Sequence, residues 1–174
     1  IENRGINHKI LIVGEGPERY ALQKRLPKAI FTGFLEGNDL AKAYASSDIF
    51  FNPSQTETFG NVTLEAMASG LPCLCANATG SRSLVVNGQN GYLIDPNNVP
   101  LYAQTLTKMI NNPKYRKLMG NNSYEKSKRY DWDSILESMI KNYRQAILSY
   151  QKCQINNLNM QNSLHVPSIV NPAE

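Results

Sequence analysis

The chain has 174 residues, of which 41% are hydrophobic, so it is long and apolar enough to form a domain with a real core. Its formal charge of +4 is mild and spread along the sequence, and we therefore expect no nucleic acid partner. No apolar run approaches the roughly 20 residues that cross a bilayer, which argues against a membrane-spanning protein.

The first residues, IENRGINHKILIVG, contain only a short apolar run and no small-residue cleavage site. This pattern is not that of a signal peptide, so we expect a cytoplasmic protein, either free or in peripheral contact with the cytoplasmic face of a membrane. Cys73 and Cys75 stand in an apolar run with no histidine nearby, and we interpret them as reduced core thiols rather than metal ligands.

Short apolar runs that end at glycine, proline or asparagine predict five strands, at residues 9–13, 29–32, 49–51, 71–76 and 92–94. Helical patterns lie between them: one at residues 18–26, one capped by Asn38 or Asp39, and one that begins near Asn61 and is closed by Gly70. Residues 77–81 are predicted to form a loop.

After residue 96 the pattern becomes helical, and the last of three amphipathic helices follows Asp131, which suits an N-terminal cap. From Lys152 the chain is rich in asparagine and glutamine, which is typical of a loose tail. We therefore expect one domain over residues 1–151 and a loose tail over residues 152–174.

Strand, loop and helix alternate along this domain, which predicts an α/β fold with a doubly wound, Rossmann-like parallel sheet. In such sheets, ligands bind beyond the carboxyl ends of the strands. Three loops meet at that edge, at residues 14–17, 53–61 and 77–82. We expect the functional site to lie there.

The middle loop runs into the segment SQTETFGNVTLEAMASG, from Ser54 to Gly70. A helix that starts near Asn61 leaves its first backbone N–H groups unpaired, and these groups carry the positive end of the helix dipole. Gly60 lacks a Cβ that would block close approach, so the helix start suits a phosphate group.

Two carboxylates flank this helix start. Glu57 precedes it, and Glu65 lies inside the helix with a side chain that leans back toward the N-terminus. Each carboxylate can accept hydrogen bonds from sugar hydroxyls, so the order of carboxylate, anion site and carboxylate suits a nucleotide-sugar. The alternative is that Glu65 is a solvated helix residue and Glu57 a loop charge, because two glutamates at this separation are common by chance.

The run NPSQTETFGNVTLEAMASGLPCL resembles the signature of retaining glycosyltransferases of family 4. The matching residues are Pro53, Ser54, Glu57, Glu65, Ala66, Met67, Ala68, Gly70 and Pro72. Flanking pieces, including ILIVGEGPE and NGQNGYLIDP, are similar to the same family, so the resemblance extends over about residues 9–148. It implies the C-terminal, nucleotide-sugar-binding domain of a GT-B fold.

The resemblance also implies a role for each matched position. Glu57 would be the catalytic residue that faces the donor sugar, Glu65 would bind the nucleotide ribose, and Phe34 and Leu35 would lie near the nucleobase. The donor-binding residues implied are Gly14, Gly16, Phe34, Leu35, Glu57, Thr58, Phe59, Gly60, Asn61, Val62 and Glu65.

The activity implied is retaining transfer of a hexosyl group from a nucleotide-diphosphate sugar to a lipid or polysaccharide acceptor, without a metal or a cofactor. In the resembling family, an N-terminal acceptor domain and a first strand-loop-helix unit with an arginine and a lysine come before the matched region. We therefore expect this chain to be the donor-binding half of the enzyme, without that first unit, and to be inactive by itself.

Several alternatives stay open at this point. The same fold can hold a nucleotide-sugar without transfer, or it can epimerise or hydrolyse one. The basic run KSKR, from Lys126 to Arg129, can instead face an anionic surface or simply end a solvated helix. Arg82 either supplies a charge near the acceptor or caps a loop.

Overall fold

A computed structural model describes residues 5–163 of the protein. Strands and helices alternate up to the fifth strand, after which the described chain is helical. The strands are β1 (Leu11–Val13), β2 (Ile30–Gly33), β3 (Phe50–Asn52), β4 (Cys73–Ala76) and β5 (Gly91–Ile94). The helices are α1 (Arg19–Arg25), α2 (Gly37–Ala45), α3 (Asn61–Ala68), α4 (Thr79–Leu84), α5 (Val99–Ile110), α6 (Pro113–Ser127) and α7 (Trp132–Ser163), with a 3-10 turn at Lys128–Tyr130.

All strand pairs are parallel, as the alternation of strands and helices predicts. They form two ladders: β1 pairs with β2, and β4 lies between β3 and β5. Helices flank both ladders along the chain, which confirms the Rossmann-like α/β class. Because the strands of each ladder run in one direction, the loops that follow β1 and β2 share one edge of the first ladder, and those that follow β3 and β4 share one edge of the second.

Strand β4 is the centre of the core. All four of its residues are fully buried, in agreement with the continuous apolar run of their sequence. On one side, Leu74 of this strand packs with Ile94 of β5 and with Tyr102 and Met109 of α5. Both cysteines of β4 are buried and free, which confirms their interpretation as core thiols.

Helix α4 was not expected, because residues 77–81 were predicted to form a loop. Its six residues include a glycine and two serines, which favour turns when only local propensity counts. Contacts made elsewhere in the fold stabilise it: the N–H of Gly80 donates to the carbonyl of Glu57, and Leu84 is fully buried.

The start of α2 also differs from the prediction. The helix begins at Gly37, and its N-cap position is Glu36, whose side chain makes no capping hydrogen bond. Asn38 and Asp39 therefore lie inside the first turn instead of capping it. Asp39 forms an ion pair with Lys42, at 2.8 Å, one turn further on.

The chain divides into two compact units, one up to Arg129 and one from Tyr130. The described part of the second unit is α7 with the residues just before it. A carboxylate oxygen of Asp131 accepts a hydrogen bond from the N–H of Ser134 at 3.2 Å, which confirms the predicted cap. The helix continues to Ser163, past the Lys152 boundary at which we expected a loose tail to begin.

The remainder of the predicted tail, residues 164–174, lies outside the described residues. The apolar side chains of α7 are largely exposed within their unit, with Trp132 at 74% and Tyr143 at 62% of their maximal accessible surface. Within residues 5–163, no helix has both the length and the hydropathy that a membrane span needs.

Candidate functional site

The first turn of α3 is an open helix start. Helix α3 begins at Asn61, as predicted, and its N-cap is Gly60 in the left-handed conformation, with φ of 96°. The carbonyl of Gly60 accepts hydrogen bonds from Thr63 and Leu64, at 2.9 and 3.0 Å. The amides of Asn61 and Val62 come too early in the helix to have an intrahelical partner, so they can donate to a bound anion.

Helix α4 fixes the loop that leads into this turn. The N–H of Gly80 donates to the carbonyl of Glu57 at 3.0 Å. A Cβ on Gly80 would lie 2.6 Å from the carbonyl carbon of Phe59 and 2.8 Å from the nitrogen of Gly60. Only a residue without a side chain permits this close approach. The start of α4 therefore packs directly on the backbone of residues 57–60 and fixes the position of this loop.

Glu57 is half-buried beside the end of β3. The side-chain amide of Asn52, the last residue of β3, donates to a carboxylate oxygen of Glu57 at 3.4 Å. The amide oxygen of the same asparagine accepts a hydrogen bond from the N–H of Ser54 at 3.1 Å. Asn52 thus ties the carboxylate to the strand end, a role that its sequence position in FFNPS did not indicate.

Glu65 is exposed on α3, and its partner comes from another helix. The hydroxyl of Tyr44, in the last turn of α2, donates to a carboxylate oxygen of Glu65 at 3.0 Å. Burial raises the pKa of Tyr44 above its usual value, and the charge of Glu65 and its hydrogen bond raise it further. The phenol therefore stays protonated and can donate this hydrogen bond across the physiological pH range.

The contact between Tyr44 and Glu65 was not predicted from the sequence. The available signal was weak, because a tyrosine on an apolar helix face is most often a core residue whose hydroxyl reaches the surface. Its hydroxyl partner lies 21 residues further along the chain. No local pattern indicates a contact at that separation.

The other predicted donor-binding residues follow β1 and β2. The N–H of Gly14 donates to the carbonyl of Gly33 at 2.8 Å, which joins the ends of these strands, and the carbonyl of Gly16 accepts from the start of α1. Phe34 is 71% exposed directly after β2, and Leu35 beside it is half-buried. These four residues follow strands of the first ladder, whereas residues 57–65 follow β3, which belongs to the second ladder.

Two buried hydroxyl groups lie under the helix start. Thr63 on α3 and Ser81 on α4 are 0% and 1% exposed, and neither hydroxyl oxygen has a well-formed hydrogen bond. Both lie beside the Cys75 thiol, whose pKa is lowered by a hydrogen bond with Cys73 and by these two hydroxyls. A thiol is a weak hydrogen-bond partner, so these buried hydroxyls carry a local cost in stability.

Arg82 caps a loop. Its Nε donates to the side-chain oxygen of Asn77 at 2.8 Å, and a terminal nitrogen donates to the backbone carbonyl of Asn77 at 3.1 Å. Of the two roles considered for Arg82, a charge near the acceptor and a loop cap, these contacts correspond to the loop cap. They hold the guanidinium against the loop before α4.

The KSKR run is also engaged with protein groups. Lys126 donates to the carbonyl of Ser83 at 3.4 Å, and Lys128 forms a 2.7 Å ion pair with Glu125. Burial and the nearby charge of Arg129 lower the pKa of Lys126. These contacts favour a helix end tied to the fold. Among the described residues, no group of three or more histidine, cysteine or carboxylate side chains is arranged to hold a metal ion.

A model of the protein family described as glycosyl transferases group 1 matches residues 1–126 of the chain. The chain belongs to this family. The matched region includes both ladders and the whole of α3, so it contains every residue that sequence analysis assigned to the donor site.

Two relatives illustrate the range of the group 1 glycosyltransferases. A sulfoquinovosyl transferase of Arabidopsis thaliana is 37% identical over 129 residues, which is 71% of this chain and 25% of the relative. A GDP-mannose-dependent alpha-mannosyltransferase of Corynebacterium glutamicum is 34% identical over 144 residues, which is 83% of this chain and 35% of the relative. The chain thus spans about a quarter to a third of the length of these curated relatives.

Similarity to a solved structure confirms the fold. HepE of Anabaena, determined in complex with UDP-glucose, superimposes with a TM-score of 0.68 at 26% sequence identity. The match covers 78% of this chain and 40% of that chain. The structural neighbours are GT-B glycosyltransferases, in agreement with the expected fold class.

Proposed function

We propose that this chain is the donor-binding part of a retaining glycosyltransferase, which transfers a glycosyl group from a nucleotide-diphosphate sugar to a lipid or saccharide acceptor. The observation that carries this proposal is the start of α3, with Glu57 before it and Glu65 after it. Each carboxylate is held by a polar neighbour, at 3.4 Å and 3.0 Å.

The helix start provides the chemistry for the diphosphate. The amides of Asn61 and Val62 and the positive end of the helix dipole attract a phosphate, whereas the missing Cβ of Gly60 makes room for Leu84 and Gly80 of α4. Negative charge grows on the diphosphate as the bond to the sugar breaks. Fixed amides oriented toward that charge stabilise the transition state, and no metal or cofactor is part of this proposal.

The two carboxylates bind different parts of the nucleotide-sugar donor. Glu57 accepts hydrogen bonds from the hydroxyls of the donor sugar, and Glu65 accepts those of the ribose. The loops after β1 and β2 complete the nucleotide site, with Gly14 and Gly16 near the phosphates and Phe34 and Leu35 near the base. HepE, whose structure contains UDP-glucose, supports a nucleotide-sugar as the ligand.

Two observations support the role of this chain as one part of a larger enzyme. The matched regions cover only 25% and 35% of the two curated relatives described above, so those proteins are considerably longer than this chain. Strands β1 and β3 each end a separate ladder, and one further parallel strand between them would join the ladders into a single sheet. The acceptor domain, and any peripheral contact with the cytoplasmic face of a membrane, belong to the rest of the enzyme.

The role of Glu65 can be tested by calorimetry on the full polypeptide that contains this chain. Titration with UDP, GDP and ADP identifies the preferred nucleotide, and we expect Glu65→Ala to weaken its binding about tenfold to a hundredfold, because charged hydrogen bonds to the ribose are lost. Glu137→Ala, which removes an exposed carboxylate from α7, serves as the matched control.

Unchanged nucleotide affinity in Glu65→Ala would contradict the proposed role. A transfer assay with the corresponding nucleotide-sugar separates the remaining functions. Binding without turnover by the full polypeptide would indicate a binding module, whereas release of free or epimerised sugar would indicate a hydrolase or an epimerase. Product of the same anomeric configuration as the donor is the outcome that we expect.

A further inference from the structure

We infer that Tyr44 is a positioning residue for the donor site, and that its hydroxyl orients the Glu65 carboxylate before a nucleotide binds. The inference rests on the proposed role of Glu65 and adds a residue outside the family signature. Tyr44 lies in the last turn of α2, and its hydroxyl is 3.0 Å from Oε2 of Glu65 on α3.

The tyrosine is itself held in place at two points. Its ring packs against that of Phe50, with 6.1 Å between the ring centroids and an angle of 53° between the ring planes. Its hydroxyl also lies 3.3 Å from the carbonyl oxygen of Val62, in the first turn of α3. The same group therefore contacts both the carboxylate and the helix turn whose amides are proposed to bind the diphosphate.

A phenol has a single proton to donate. The carboxylate of Glu65 is charged and is the nearer acceptor, so it takes this hydrogen bond in preference to the carbonyl of Val62. The second oxygen, Oε1, and one lone pair of Oε2 remain for a ligand. Two adjacent acceptor positions suit the two neighbouring hydroxyls of a ribose.

The neutral character of the partner matters as well. A lysine or arginine in this place would compensate the charge of Glu65 and weaken it as an acceptor. The hydroxyl of Tyr44 restricts the orientation of the Glu65 carboxylate without neutralising its charge. Because an exposed glutamate otherwise loses side-chain freedom when it binds, a side chain that is already ordered binds more tightly.

A double-mutant cycle tests this inference on the full polypeptide, with UDP and GDP as calorimetric probes. Tyr44→Phe removes the hydroxyl and keeps the ring contact with Phe50. We expect it to weaken binding of the preferred nucleotide about threefold to tenfold, and to have no further effect when Glu65→Ala is already present. Tyr92→Phe removes a hydroxyl that lies 3.1 Å from that of Tyr115, and is expected to leave affinity unchanged.

Dideoxy nucleotides separate positioning from a general effect on the fold. With the 2′,3′-dideoxy form of the preferred nucleotide, the penalty of Tyr44→Phe should disappear, because no ribose hydroxyl remains to bind Glu65. An equal penalty with both forms would overturn the inference, since it would indicate a structural link between helices. Full affinity of Tyr44→Phe beside weakened Glu65→Ala would overturn the role of Tyr44 alone. Full affinity of Glu65→Ala, or no binding of either probe, would overturn the proposed function as well.

Discussion

Single polar side chains determine how the two carboxylates of the site are presented. Asn52 donates to Glu57 and Tyr44 donates to Glu65, and both donors are uncharged. A neutral donor fixes the orientation of a carboxylate while leaving its charge available. At the residue scale, both glutamate carboxylates therefore remain strong hydrogen-bond acceptors, and their side chains are already ordered.

The hydroxyl of Thr63 offers a direct test of packing at this scale. It is fully buried, and its neighbour is the Cys75 thiol, a weak hydrogen-bond partner, so replacing the hydroxyl with a methyl group removes more desolvation cost than bonding. We expect Thr63→Val to raise the free energy of unfolding by about 1 kcal/mol in urea titrations.

Thr107→Val is the matched control for this prediction. The hydroxyl of Thr107 donates to the carbonyl of Ala103 at 2.7 Å, so its loss should lower the free energy of unfolding by about 1 kcal/mol. A decrease in both variants would show that the Thr63 hydroxyl has a stabilising partner.

Helix α3 is held at both ends by glycines from other helices. At its start, Gly80 of α4 approaches the backbone of Phe59 and Gly60. At its end, a Cβ on Gly120 of α6 would lie 2.2 Å from the carbonyl oxygen of Gly70. At the element scale, these backbone contacts set the position of α3, and with it the position of the turn that we propose binds the diphosphate.

The contact at Gly120 predicts that alanine, which normally stabilises a helix relative to glycine, destabilises the protein at this position. Glycine to alanine inside a helix normally stabilises it by about 1 kcal/mol. Here the added methyl group collides with backbone and forces α6 away from α3, so we expect Gly120→Ala to lower the free energy of unfolding by about 1–3 kcal/mol. Urea unfolding measures the change.

Asn121→Ala, at the exposed next position on α6, is the control, and its free energy of unfolding should stay the same or rise slightly. Stabilisation by Gly120→Ala would contradict the close packing of α6 on α3.

At the scale of the whole molecule, the proposed donor site lies beside two ladders whose strands are unevenly covered in the described part of the chain. Strand β4 is paired on both sides and fully buried, whereas Phe51 of β3 and Ile30 of β2 are 48% and 53% exposed. Apolar residues of sheet strands are expected to be covered in a finished α/β domain. This asymmetry agrees with the proposal that the rest of the enzyme covers them.

The proposal predicts different behaviour for the isolated chain and the full polypeptide. We expect the 174-residue chain to bind UDP or GDP weakly and to transfer no glycosyl group, because the proposal assigns the acceptor-binding domain and part of the diphosphate site to the rest of the enzyme. Calorimetry and a transfer assay with labelled nucleotide-sugar measure both properties. Measurable transfer by the isolated chain would show that the other part is not required.

Some features of the protein could be predicted from local patterns. Each of the five strands was found within two residues of its bounds, the start of α3 was found at Asn61, and Asp131 was identified as a cap. Both carboxylates came from their spacing around a helix start, and from resemblance to a family that the chain does belong to at the level of group 1. Hydrophobic runs, turn residues and helix caps act over a few residues, so the linear sequence alone determined them.

Other features depended on contacts between distant residues. Helix α4 forms from a sequence typical of a loop because Gly80 bonds to Glu57 and Leu84 is buried. The hydrogen bond from Tyr44 to Glu65 and the approach of Gly120 to Gly70 likewise join separate helices. Packing and hydrogen bonding between such elements act through space, so only the tertiary structure decided how the two carboxylates and the helix start are held.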